Sequence, residues 1–259
     1  MAAGSGRKND LTAGCADKRR QRDYRRLRQV AMDRRGVEAV RRLVRALGET
    51  SIECLTLYAF STENWRRPDE EVGDLMNLMR RFVKSDLPEF IANDVKLHIL
   101  GDWRGLAPDI VEMLEDALSR TAGGARTLAV ALNYGSQQEI ARAATAAAAE
   151  GEITVESIER HLDSAELPPL DLLIRTSGEL RLSNFLLWQS AYAEMIFTDV
   201  LWPDFTPEHL TDAVGSTGVG HRSRLVLRHH TFGHPRRGRD RFFPFSSTAL
   251  TENPGKLLS

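Results

Sequence analysis

The chain has 259 residues, of which 42% are hydrophobic, enough for one large α/β domain or two small ones with a real core. The net charge of -1 conceals a segregation: residues 1–35 carry 11 Lys/Arg against 4 Asp, residues 215–259 carry 8 against 2 acids, and the stretch between holds 16 bases and 30 acids. Two cysteines, Cys15 and Cys54, exclude a disulfide framework and a cysteine metal site. The basic start has no apolar core behind it, and no apolar run nears the roughly 18 residues a membrane helix needs, so a cytoplasmic chain is expected.

In chain order, Val37, Val40, Leu43, Val44 and Leu47 recur at helical spacing and Gly48 closes that helix. A strand follows over 52–60, then a polar loop with Pro68, then a long helix over 70–93 with Pro88 as a kink. A strand over 95–100, a helix over 109–121 and a strand over 127–132 come next. Helices over 137–150 and 154–162, a strand over 170–174, a helix from Asn184, a short strand over 195–198 and a helix over 207–214 complete the pattern. Strands alternating with helices of ten or more residues imply a parallel sheet with helices on its faces. Residues 1–35 and 215–259 show no such pattern and read as basic, irregular ends.

Two windows carry chemistry. The run from Arg175 to Gln189 starts where the strand 170–174 ends. In open α/β sheets, ligands bind at that end of a strand. Its arginines and hydroxyls suit a phosphate, since guanidinium forks give charge-assisted hydrogen bonds. Equally, Arg175 can neutralise a neighbouring acid and Ser183 can cap a helix. The second window, from Ser61 to Pro68, follows the strand 52–60 and so can face the same crevice. Trp65 there either covers a ligand or is buried against the long helix. Glu194 lies among Ala193, Met195, Ile196 and Phe197; such a carboxylate pairs with an arginine or holds magnesium beside a diphosphate. The stripe of Leu75, Met76, Leu78, Met79, Phe82 and Val83 is either ordinary core or the wall of a channel for an oily chain.

Four stretches in order, from Leu55 to Trp65, Asn133-Tyr134-Gly135, Arg175 to Gln189, and Phe197 to Phe205, resemble the cis-prenyltransferase family over residues 36–214. The resemblance implies a homodimeric α/β fold: one domain, a parallel central sheet flanked by helices and an apolar tunnel. It implies condensation of isopentenyl diphosphate with an allylic diphosphate to a cis-polyprenyl diphosphate. Asn64 would position or remove the proton lost in condensation. Ser61, Thr62, Glu63, Trp65 and Arg67 would form the substrate loop. Arg175, Arg181 and Ser183 would hold the diphosphate of isopentenyl diphosphate, and Glu194 would help carry Mg2+. Leu180 stands where some members have a histidine. The product would bring transient contact with a membrane surface.

The resemblance also defines what is missing. Family members begin with an apolar strand running into Asp-Gly-Asn-Gly-Arg-Trp, whose aspartate binds magnesium and whose glycines cradle the allylic diphosphate; this chain has neither. The segment 17–20 falls near the expected place without the aliphatic run or the glycines, and Asp33 replaces an expected histidine. A sheet short of one strand, with an open edge and a marginal fold, is therefore expected. Because likeness stops where charge and composition jump, the two ends read as partly shifted in frame. The other functions weighed are a non-catalytic partner subunit of the same fold and nucleic-acid binding through the basic ends. Against the latter, the first 35 residues have one aromatic, Tyr24, and no binding motif.

Overall fold

The computed structural model describes residues 34–217 and 223–228; the expectations placed on 17–20, on Asp33 and on the remainder of the two ends lie outside the described residues. Helix α1 covers residues 34–47. Then follow β1 (Ile52–Ser61), α2 (Asp69–Ala92), β2 (Val95–Leu100), α3 (Pro108–Thr121), β3 (Arg126–Tyr134), α4 (Ser136–Glu150), α5 (Val155–His161), β4 (Leu172–Arg175), β5 (Glu194–Phe197), α6 (Pro207–Gly215) and β6 (Ser223–Arg228). The strands form one sheet in the order β2-β3-β1-β6-β4-β5, and every pairing is parallel. All carboxyl ends therefore share one edge, as the alternating pattern predicts.

Two cores lie on the two faces. Leu55 and Leu57 of β1 join the larger, which takes in Leu43 and Leu47 of α1, Leu75, Val83 and Phe90 of α2, and Ile110 and Leu114 of α3. Cys54 and Tyr58 join the smaller, with Ala129, Ala131, Leu173 and Phe185. Strict alternation would send Phe60 to the smaller core with Tyr58. The β1–β3 register instead slips between Tyr58 and Phe60, and Phe60 turns to the larger core. Such bulges re-aim side chains beside functional edges.

Two expectations are corrected. Residues 215–259 are not irregular throughout: 223–228 form β6, paired to β1 on one side and β4 on the other. The sheet thus has no missing strand at this point, because Leu225, Val226 and Leu227, fully buried, fill the interval between β1 and β4. The helix expected from Asn184 is also absent. Ser183, Asn184 and Leu186 have φ of 45°, 60° and 44°, which right-handed helix excludes, and only a 3-10 turn forms at Gln189–Tyr192. Helix α2 runs through Pro88, as its expected span does.

Candidate active site

The carboxyl edge brings the two windows together. The 3-10 turn Thr62–Arg66 leaves β1 with Ser61 as its cap, and the Ser61 N–H donates to Asn64 Oδ1 at 2.8 Å. Asn64 is buried, its amide carbonyl committed to the backbone of its own loop. Trp65 is 46% exposed, so it is not buried against α2. It sits edge-on to Phe60 at 5.1 Å, and its indole N–H donates to Asn133 Oδ1 at 2.8 Å. Asn133 in turn donates to Asp102 O, which ties the ends of β1, β2 and β3 into one rim. Arg67 pairs with Glu71 at 3.6 Å. Thr62 Oγ1 is buried with no hydrogen-bond partner among the described residues, close to the bare backbone of Gly135.

The second window wraps over the end of β4. Arg175 is the strand's last residue and is 1% exposed; its Nε donates to Arg181 O at 3.2 Å. Burial pulls its guanidinium below the ordinary arginine value, and the nearby Glu179 carboxylate partly offsets this. Glu179 also meets Arg181 Nε at 3.1 Å. An acid thus lies beside Arg175, and Arg181 converges with it at the strand's carboxyl end. Ser177, Gly178, Ser183, Asn184 and Leu186 all have φ between 44° and 68°, a concentration of left-handed backbone that marks functional loops. Thr198 N donates to Arg175 O, and Gly178 N to Thr198 O, so the loop after β5 braces this segment. Ser183 is exposed and does not cap a helix, since none starts there.

Glu194 is corrected. It is exposed rather than enclosed, and it opens β5 in register with Leu172, whereas Arg175 stands opposite Phe197. Three residues of strand put it about 10 Å from the functional edge. Within this chain it does not join the arginines. Among the described residues no three His, Cys, Asp or Glu side chains converge as a metal cage.

Behind the polar rim lies a cavity of about 150 Å³ walled by α1, α2, α3 and strands β1 to β3. Its lining is apolar and includes Phe60 and Leu132, the residues immediately before Ser61 and Asn133. It follows α2 from Leu75 to Phe90, about 22 Å at 1.5 Å per residue. The methionine and phenylalanine stripe is therefore both core and the wall of an apolar cavity.

A family model described as putative undecaprenyl diphosphate synthase matches residues 18–222, reaching past 36–214 on both sides. The chain belongs to the cis-prenyltransferase family. It is 50% identical over 199 residues to the isoprenyl transferase of Agrobacterium fabrum, covering 73% of this chain and 81% of that one. A probable undecaprenyl diphosphate synthase from Campylobacter jejuni superimposes with a TM-score of 0.65 at 34% identity, over 70% of this chain and 88% of that one. Lavandulyl diphosphate synthase from Lavandula x intermedia, solved with dimethylallyl diphosphate, gives 0.67 at 30% identity, over 72% and 86%. The chain is thus a cis-prenyltransferase, an enzyme of isoprenoid biosynthesis.

The residues from Ser61 to Arg67, Arg175, Arg181 and Ser183 all lie along the one edge, and Glu194 does not. Glu179, Asn133 and Asn184 were missed as site residues. The only signal for them in the sequence is their place inside the matched stretches, because their contacts depend on loop geometry.

Proposed function

We propose that the chain joins isopentenyl diphosphate to an allylic diphosphate, lengthening a cis-polyprenyl diphosphate one unit at a time. The observation that carries this is the adjacency of Phe60 to Ser61 and of Leu132 to Asn133: the oily cavity ends where the polar rim begins. Arg175, Arg181 and Ser183 hold the diphosphate of isopentenyl diphosphate, and the loop from Ser61 to Arg67 holds the reacting ends. A carbon–carbon bond forms to the allylic carbon as its bond to diphosphate breaks. A proton is then lost from the isopentenyl unit, with Asn64 orienting that unit. Positive charge fixed at the rim stabilises the negative charge that develops on the departing diphosphate. Each CH2 that moves into the cavity gains roughly 0.8 kcal/mol.

Mg2+ accompanies the diphosphate in this reading and supplies further neutralisation of its charge. No three His, Cys, Asp or Glu side chains among the described residues converge on such an ion, so diphosphate oxygens would supply most of its ligands. A homodimer is supported by the edge strand β5, where Met195 and Phe197 are exposed beside Tyr192, which is 99% exposed, and Leu201. A cytoplasmic site of action, with the product's tail at a membrane surface, completes the proposal; among the described residues no helix is long and apolar enough to cross a membrane.

The test is incubation of the full chain with radiolabelled isopentenyl diphosphate, an allylic diphosphate and magnesium, alongside calorimetric binding of isopentenyl diphosphate. Label entering an extractable polyprenyl product is expected. Binding without incorporation indicates a partner subunit of this fold; no binding removes the diphosphate reading.

A further inference from the structure

Three strand ends, those of β1, β3 and β4, meet at Asn184. Its backbone O accepts from Ser136 N at 2.9 Å and its Oδ1 accepts from Gln137 N at 2.8 Å, so it secures the first turn of α4. Its Nδ2 donates to Glu63 Oε1 at 3.1 Å and to Gln138 Oε1 at 3.1 Å. The amide can face only one way. A backbone N–H needs an acceptor, so oxygen lies toward Gln137, and a carboxylate needs a donor, so nitrogen lies toward Glu63. Gly135 allows this convergence: a Cβ there would come within 2.7 Å of Asn184 Nδ2 and 2.8 Å of Thr62 Oγ1. Beside the cluster, Leu187 N donates to Ser136 Oγ at 2.9 Å, a second tie between the Arg175 window and α4.

We propose that Asn184 is a positioning residue, a latch that fixes the loop carrying Asn64 and Arg67 relative to the loop carrying Arg175, Arg181 and Ser183. It acts through Glu63 and the start of α4. This rests on the diphosphate reading of the rim, because the consequence of the latch is correct spacing of two charged loops around one substrate. Its left-handed φ of 60° is one that Asn and Asp tolerate, so Asn184→Asp leaves the backbone alone. The change removes the donor and sets a carboxylate against Glu63. Gln138 can turn its own amide to donate, whereas Glu63 cannot.

The experiment is a cycle of Asn184→Asp, Glu63→Gln and the double variant in the full chain, read by thermal unfolding and by calorimetric binding of isopentenyl diphosphate. Asn184→Asp is expected to weaken binding roughly 10- to 100-fold, as for loss of a hydrogen bond to a charged group, and to lower the melting temperature. In the double variant a glutamine amide faces the new carboxylate, so both binding and melting temperature recover above those of Asn184→Asp. A double variant no better than Asn184→Asp on either measure overturns the latch. So does Asn184→Asp that melts lower yet binds as tightly as the parent. If the parent chain itself does not bind isopentenyl diphosphate, the diphosphate reading fails instead, while the melting arm still decides whether the two side chains are coupled.

Discussion

Two arginines on neighbouring strands make the most instructive contrast in this molecule. Arg175 on β4 and Arg224 on β6 are 1% and 2% exposed, and burial pulls both below the ordinary arginine value. Their placement differs. Arg175 ends its strand at the functional edge, beside Glu179 and Arg181. Arg224 lies near the start of its strand, opposite Cys54 in the β1 ladder. Its Nη1 donates to Pro168 O at 3.0 Å, while Nε and Nη2 have no hydrogen-bond partner among the described residues. A buried charge at a strand's carboxyl end can serve a ligand. The same charge within the sheet is a cost with no chemistry attached.

One substitution at both positions sharpens the contrast. Arg175→Met keeps most of the volume and removes the charge; binding of isopentenyl diphosphate is expected to fall by more than about a hundredfold, the scale of losing one partner from a buried charged contact. Calorimetry measures it, and affinity within threefold of the parent would remove Arg175 from the site. Arg224→Met is expected to act oppositely, leaving that affinity unchanged and raising stability by about 1–4 kcal/mol, as when apolar residues replace a poorly compensated buried charge. Denaturant unfolding reports it, and a loss of stability would mean that Arg224 is better compensated than its contacts indicate.

The apolar side of the edge yields a smaller effect. Val130 of β3 lines the cavity and is partly buried. Val130→Phe fills part of that space at a cost of about 1–3 kcal/mol for overpacking. The expected result is a shorter distribution of products on a thin-layer chromatogram with isopentenyl diphosphate affinity preserved. An unchanged distribution would show that the growing chain does not pass Val130.

Arg224 also shows why some of this structure was hidden in the sequence. Strands β1 to β5 announce themselves as apolar runs between loops, and the helices as 3.6-residue stripes, so the parallel sheet was legible from pattern alone. Strand β6 was not: Leu225, Val226 and Leu227 are a short apolar run in basic company, and only the interval between β1 and β4 makes them a strand. At the site, Arg175 and the Ser61 loop were legible because both follow strands. The turn at Asn184 was not, since Asn184-Phe185-Leu186-Leu187 has the composition of a helix start, and the contacts with Glu63 and Gln138 that hold its left-handed backbone arise only in three dimensions. Glu194 misled for the converse reason. Apolar neighbours in sequence do not bury a residue on an edge strand.

The smallest effect concerns a charge pair that is neither buried nor catalytic, the opposite extreme from both arginines. Arg80 of α2 meets Asp109 of α3 through Nε at 2.6 Å and Nη2 at 3.1 Å, a two-pronged contact between the helices that wall the cavity. The hydrogen bond from Arg80 holds the Asp109 carboxyl below its usual value of 3.8. The folded state therefore favours the ionised form more than the unfolded chain does. Its contribution is fully present above the usual carboxylate value and is lost as pH falls through the lowered one. Asp109→Asn should lower the melting temperature slightly at pH 7, and the two proteins should converge as the pH is taken well below 3.8. Because the pair is exposed to solvent, about 1 M salt should also shrink the difference. A gap that persisted in acid and in salt would rule out the charge as its source, because the Arg80 pair and the attraction of Asp109 to the N-terminus of α3 both need the ionised carboxylate and both weaken in salt.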